Sequence, residues 1–171
     1  MSQVNAIVTS NSRVQLKLAK LHSLMDSTIQ SMLVASPPVV CKRGCSYCCN
    51  FKVPVSRQEA ERLSHATGRK LTVPTVWTQF DDPRPCPFLA DGECSAYADR
   101  PSACRAYHVF KAQPGTATTD CTQLGSAAEY GVAQLLLTAI PEEFQFAWFA
   151  LERQAKEPPQ LADIRDWFPS L

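Results

Sequence analysis

Apolar residues recur with helical spacing in three stretches of the chain. From Ser12 to Leu33 they follow steps of three and four residues, which predicts an amphipathic helix with Ser12 as its N-cap. Ser36-Pro37-Pro38 ends this helix, because proline cannot continue it. Two more helices are predicted over residues 126–140 and from Pro141 to about Lys156, and Pro158-Pro159 ends the last one.

The pattern between these helices is shorter and more polar. Phe51–Val55 predicts a short extended segment, and Ser56 followed by Glu59 predicts a capping box that opens a helix ending near Gly68. Asp91-Gly92, between two short apolar runs, predicts a hairpin with a two-residue turn.

Further short elements follow the hairpin. Residues 71–85 are predicted to be irregular, whereas Asp99–Tyr107 predicts a short helix entered through proline, with Asp99 near its cap. The tail over residues 161–171 is expected to dock through Ile164, Trp167 and Phe168.

These elements predict a mostly α single domain with a small, irregular, cysteine-rich centre that contains a β-hairpin. We expect four segments along the chain: a flexible N-terminus (1–11), an N-terminal helix (12–36), a cysteine-cluster metal-binding region (41–121), and a C-terminal helical cover with the tail (124–171).

Composition narrows the class of protein. The chain has 171 residues, of which 45% are hydrophobic and 19% charged, and this balance is typical of a folded globule. A net charge of +1 favours neither nucleic acid nor an anionic membrane as partner. No apolar stretch approaches the roughly 18 residues of a spanning helix, and the N-terminus has no secretory-signal pattern. We therefore expect a cytoplasmic protein, and the sequence indicates no particular protein partner.

Eight cysteines carry the candidate chemistry. Four lie within nine residues at Cys41, Cys45, Cys48 and Cys49, and four follow singly at Cys86, Cys94, Cys104 and Cys121. In a reducing compartment such cysteines favour metal binding over disulfides. Thiolates suit zinc or an iron–sulfur cluster, and each commonly takes four of them.

The spacing leaves the division of the ligands open. Because adjacent side chains tend to diverge, one ion is not expected to take Cys48, Cys49 and both preceding cysteines. The alternatives are two four-sulfur sites, or one such site and another that recruits His108 or an acid. For His108 we favour a hydrogen-bonded neighbour over a ligand, and for His22 core packing. Nearby cations could offset thiolate charge: Lys42, Arg43, Arg84, Arg100 and Arg105.

The order of the cysteine motifs resembles a known family. The matching elements are Cys41-x3-Cys45-x2-Cys48-Cys49, Cys86-Pro-Phe-Leu, Gly92-x-Cys94-Ser-Ala-Tyr97, Arg100-Pro-Ser-Ala-Cys104-Arg-Ala-Tyr107, and Cys121. Together they resemble the YkgJ-type cysteine-cluster family, a bacterial-type uncharacterised family described as zinc- or iron-chelating. The resemblance implies that all eight cysteines are metal ligands, with zinc or iron ions, or an iron–sulfur cluster, as cofactor. One departure is the three residues, rather than two, between Cys41 and Cys45.

Two functions from different classes follow. The first is a non-enzymatic metal-binding protein of unassigned cellular role. The alternative is an iron–sulfur or multinuclear iron enzyme or redox protein, since flagellin lysine methylases are similar in their cysteine motif. The chain has no glycine-rich strand–turn–helix for S-adenosylmethionine, so we do not transfer the methylase activity. A third reading is a metal-free thiol redox protein. The sequence assigns no catalytic residue.

Overall fold

A computed structural model of the chain describes residues 2–36, 39, 41, 44–75, 84–108 and 141–169. The helices are α1 (Gln3–Thr9), α2 (Val14–Val34), α3 (Arg57–Thr67), α4 (Ser102–Ala106), α5 (Glu142–Gln154) and α6 (Ile164–Trp167). The strands are β1 (Pro54–Ser56), β2 (Leu89–Ala90), β3 (Glu93–Cys94) and β4 (Leu161–Asp163), and 3₁₀ turns lie at Tyr47–Asn50 and Tyr97–Asp99. The predicted class, mostly α with small hairpins, is confirmed.

The N-terminal residues are more ordered in structure than the sequence pattern predicted. Residues 3–9, for which a loose start was expected, form α1, and the Ser2 side chain accepts a hydrogen bond from Asn5 N at 3.2 Å. The helix forms because Val4 is buried against its neighbours. The N-cap predicted at Ser12 is wrong, since α2 begins one residue later with Arg13 as its cap.

Helices α1, α2 and α5 pack around one apolar cluster, which we call the helical core. Its buried members are Val4, Leu18, Leu21, Met25, Ile29, Ala106, Phe144, Ala147 and Leu151. The predicted helix from Pro141 is confirmed as α5, although Pro141 is its N-cap. The helix predicted at 126–140 lies outside the described residues.

A second cluster, which we call the cysteine-side core, forms beneath the short elements. Its buried members are Val53, Val55, Ala60, Leu63, Cys86, Phe88, Ala96, Ala162, Ile164, Trp167 and Phe168. Tail docking through Ile164, Trp167 and Phe168 is thereby confirmed. Strand β4 pairs antiparallel with β1, with Val55 opposite Ala162. The Trp167 indole also donates to the Val55 carbonyl at 2.9 Å.

The locally encoded elements agree with the sequence. Ser56 and Glu59 form both hydrogen bonds of the capping box at α3, which ends on left-handed Gly68. Strands β2 and β3 form the predicted hairpin, whose turn residues Asp91 and Gly92 have φ of 50° and 78°. Positive φ at both positions is typical of a type I′ turn.

Helix α4 differs from its prediction at one end. Pro101 is its N-cap, whereas Asp99 lies in the preceding 3₁₀ turn and forms an ion pair with Arg62 of α3. The carboxylate of Asp99 is therefore used between elements rather than at the helix terminus. None of the helices in the described ranges is long and apolar enough to span a bilayer.

Candidate metal centre

Five cysteine side chains interact with one another, and we call them the five-thiol cluster: Cys48, Cys49, Cys86, Cys94 and Cys104. Cys49 is its connecting member, because its thiol interacts with those of both Cys48 and Cys86. The Cys49 carbonyl also accepts a hydrogen bond from Cys86 N at 2.7 Å. The cluster thus joins the 3₁₀ turn to the hairpin segment.

The 3₁₀ turn explains how two adjacent cysteines reach the same cluster. Cys49 N donates to Ser46 O at 2.9 Å, and Phe51 N donates to Cys48 O at 3.1 Å. Successive side chains in such a turn are about 120° apart, whereas those of a strand point to opposite faces. The thiols of Cys48 and Cys49 interact, and the expectation that one ion does not take both of them together with the preceding cysteines stays a prediction.

The hairpin and α4 supply the other thiols. Cys94 lies opposite Leu89 in the β2–β3 register, and Cys104 lies on α4. Between them, the Arg105 guanidinium donates to the carbonyls of Ala98 at 2.6 Å and Arg100 at 2.7 Å. Because Arg105 also pairs with Asp26 of α2, it ties this stretch to the helical layer rather than serving as a free cation for the thiols.

The first cysteine loop approaches the hairpin at Gly44. Gly44 has φ of 82°, and a side-chain carbon added there would lie 3.6 Å from a Glu93 carboxylate oxygen. Glycine suits this left-handed conformation, so it accommodates the three-residue spacing between Cys41 and Cys45. Both of these cysteines are half-buried. Lys42, Arg43 and Cys121 lie outside the described residues.

The pKa values of the clustered thiols are shifted in opposite directions. The hydrogen bond with Cys49 lowers the pKa of Cys48 to about 7 and also lowers the pKa of Cys86. The same two contacts raise the pKa of Cys49, while burial raises the pKa values of Cys94 and Cys104. A bound cation would favour thiolate at all five positions, so metal binding would release protons.

Two arginines act on these thiols. The Arg100 guanidinium lies 3.7 Å from the Tyr97 ring centroid, and its charge lowers the pKa of Cys48. This supports the sequence-based role of Arg100 in offsetting thiolate charge. Arg165 of α6 acts in the same way on Cys86. Sequence reasoning missed Arg165, because no local pattern relates residue 165 to a cysteine 79 positions earlier.

Residues 40–124 match the model of the CxxCxxCC family, whose description reads "putative zinc- or iron-chelating domain". The chain carries a CxxCxxCC domain. The resemblance to the YkgJ-type family is confirmed, and the match includes all eight cysteines. No curated protein and no solved structure matches the chain.

A buried polar network joins the CxxCxxCC domain to α2. His22 Nε2 lies 3.3 Å from Glu59 Oε1 and 3.1 Å from Ser102 Oγ, and Ser102 N donates to Glu59 Oε1 at 2.7 Å. Burial opposes ionisation of Glu59, but His22 and Ser102 together lower its pKa to about 2. His22 is thus a core residue, as expected, and the network fixes the first turn of α4 close to Cys104.

His108 lies at the end of the same segment of the domain. It is half-buried, and burial lowers its pKa. Its Nδ1 is buried and has no hydrogen-bond partner among the residues that the structure describes. Neither the sequence nor the geometry makes His108 a ligand, and its role as a hydrogen-bonded neighbour stays a prediction.

The thiol donors of the domain suit a soft metal ion, although the described side chains do not surround a single ion position. Five interacting thiols with Arg100 and Arg165 nearby are the ligand type that zinc and iron–sulfur centres use. Within the described ranges, however, no three cysteine, histidine or carboxylate side chains are arranged to hold one ion.

An apolar pocket of about 270 Å³ lies between α2, α4 and α5. Met25, Phe144 and Trp148 line it, and Glu59 and Ser102 reach its wall. No cysteine is among its described lining residues, so the pocket is separate from the five-thiol cluster.

Proposed function

We propose that this protein binds zinc or iron through the cysteines of its CxxCxxCC domain. The single observation that carries the proposal is the meeting of two separate parts of the chain at Cys49, whose carbonyl accepts a hydrogen bond from Cys86 N at 2.7 Å. The proposed ligands are those of the five-thiol cluster, with Cys41, Cys45 and Cys121 completing the set that the family resemblance implies.

Charge and burial support a bound cation. Several ionised thiols so close together repel one another, and a divalent ion offsets that repulsion while replacing their protons. Cys86 is buried and three of the other thiols of the cluster pack against the cysteine-side core, so metal binding would be coupled to the folding of that core. Free thiols persist in a reducing compartment, and we propose that the protein works in the cytoplasm.

A second candidate is an iron–sulfur or multinuclear iron centre with a redox or catalytic role. It is favoured by the adjacency of Cys48 and Cys49 within one cluster, because two neighbouring thiols on one ion are less readily accommodated than two thiols on different metal atoms. In this alternative, too, the protein supplies thiolate ligands.

Anaerobic purification followed by elemental analysis tests the proposal. We expect at least one zinc or iron per chain, with thiols that titrate fully only after a chelator removes the metal. A colourless zinc protein would exclude the iron–sulfur candidate, and a brown iron protein would exclude zinc as the resident metal. Cys86→Ser should lose metal, whereas Ser23→Ala, an exposed change on α2, should keep it. Full thiol titration without chelator and no stoichiometric metal would contradict the proposal.

A further inference from the structure

The tail (residues 161–171) contacts the segment that follows the vicinal cysteines, although it lies outside the matched CxxCxxCC domain. Strand β4 pairs with β1, and just before β1 two hydrogen bonds hold Val53. Val53 N donates to Asp163 Oδ2 at 2.8 Å, and Ile164 N donates to Val53 O at 3.0 Å. The tail therefore fixes the chain within a few residues of Cys48 and Cys49.

Arg165 holds the residue two positions after Cys49. Its Nη2 donates to the Phe51 carbonyl at 2.8 Å, and its Nη1 lies 3.3 Å from Asp163 Oδ1. Asp163 also accepts from Arg165 N at 2.9 Å. Only 3% of the Arg165 surface is exposed, and Asp163 is fully buried. One buried ion pair thus binds both Phe51 and Val53.

The same ion pair acts electrostatically on a cysteine. The charges of Arg165 and Asp163 both act on the Cys86 thiol, in opposite directions. The Nε of Arg165 is buried and has no hydrogen-bond partner in the described part of the chain. A buried donor without an acceptor is costly.

We propose that Asp163 and Arg165 are positioning residues for the metal site. They hold the backbone that follows Cys48 and Cys49, through the hydrogen bonds to Phe51 O and Val53 N. This inference rests on the proposed function. Removing a group that orients metal ligands without contacting the metal typically weakens metal affinity by about 10–100-fold.

Simple packing does not explain this pair. Taking two charges out of water is expensive, and apolar residues of similar volume often stabilise such a site equally well or better. The described contacts are instead directional: the guanidinium reaches Phe51 O and the carboxylate reaches Val53 N. Both contacts bear on the segment that carries the vicinal cysteines.

Zinc affinity of the full chain provides the test, measured by competition with a chromophoric chelator. We expect Arg165→Gln to weaken zinc binding by about 10–100-fold. Arg165→Lys, which keeps the charge but loses the planar fork, should recover part of that loss. Arg153→Gln, an exposed change on α5, should bind zinc like the wild type.

Ile164→Val separates positioning from stability. Ile164 is a buried neighbour of Arg165, and its truncation removes one buried carbon without changing charge. We expect this variant to lower the melting temperature while retaining zinc affinity.

The inference is overturned if Arg165→Gln binds zinc like the wild type, or loses no more affinity than an equally destabilised Ile164→Val. If Arg165→Gln does not fold, Arg165→Lys decides, and unchanged affinity in it overturns the inference. A wild-type chain that binds neither zinc nor iron would instead refute the proposed function, and the inference with it.

Discussion

The two cores of this molecule are built differently. The helical core consists of apolar side chains on α1, α2, α4 and α5, and its stability comes mainly from burial. The cysteine-side core lies under two- and three-residue strands and short turns, and buried Ser56, Glu59, Asp163 and Arg165 hold these short elements in place. A fold with so little regular structure around its thiols depends on specific hydrogen bonds, and on metal if our proposal holds.

Removing a thiol should have the largest effect. Cys48→Ser and Cys104→Ser are each expected to lower metal content and to destabilise the cysteine-side core by several kcal/mol, as part of the roughly 10–16 kcal/mol that a structural zinc ion supplies. Elemental analysis and thermal melting check both variants. A variant with full metal content and an unchanged melting temperature would show that its cysteine is not a ligand.

Leu18→Ala should affect the helical core alone. Leu18 is 1% exposed, and truncating such a leucine costs about 2–5 kcal/mol. Chemical denaturation should show this loss, while zinc affinity at 25 °C stays within error of the wild type. A large loss of affinity in this variant would mean that the two cores are not separable.

Glu59→Gln tests the network between the two cores. The pKa of Glu59 is lowered from its ordinary 4.5 to about 2, so its contribution is complete above pH 4.5 and is lost as pH falls through about 2. The shift corresponds to about 3 kcal/mol. We expect the free energy of unfolding of the variant to be lower than that of the wild type by this amount at pH 7. The difference between the two proteins should disappear as pH falls toward 2. Equal stability of both proteins at pH 7 would contradict the assignment.

Glu152→Gln should give the smallest effect, with the opposite sign. Burial raises the pKa of Glu152 on α5 to about 7, so the folded state keeps a proton that the unfolded state releases above pH 4.5. Stability is therefore lost as pH rises from 4.5 to 7. The full shift corresponds to about 3 kcal/mol. Because solvent screening reduces this value, we expect the variant to be more stable than the wild type at pH 8 by about 1–2 kcal/mol, and equally stable at pH 4. Melting curves at both values check this, and no gain at pH 8 would contradict it.

The sequence predicted correctly those features that depend only on neighbouring residues. The Ser56–Glu59 capping box and the Asp91-Gly92 turn need only neighbouring residues. The pairing of β1 with β4 joins residues more than 100 positions apart, and two three-residue strands carry too little periodicity to reveal it. For the same reason, Asp163 and Arg165 could not be connected with Cys86 in advance.

The cysteine motif predicted metal-binding chemistry but not which thiols meet. Spacing grouped Cys41, Cys45, Cys48 and Cys49, whereas electrostatic interactions link the last two with Cys86, Cys94 and Cys104. The 3₁₀ turn and the Cys49–Cys86 backbone hydrogen bond produce this grouping. Both depend on tertiary packing that the motif alone does not encode.

Site-resolved thiol alkylation, read by peptide mass spectrometry before and after chelation, tests the central claim most directly. The account predicts that Cys48, Cys49, Cys86, Cys94 and Cys104 of the anaerobically purified protein react slowly, and that all five accelerate together when the metal leaves. Identical labelling rates at these five cysteines with and without chelator would contradict it.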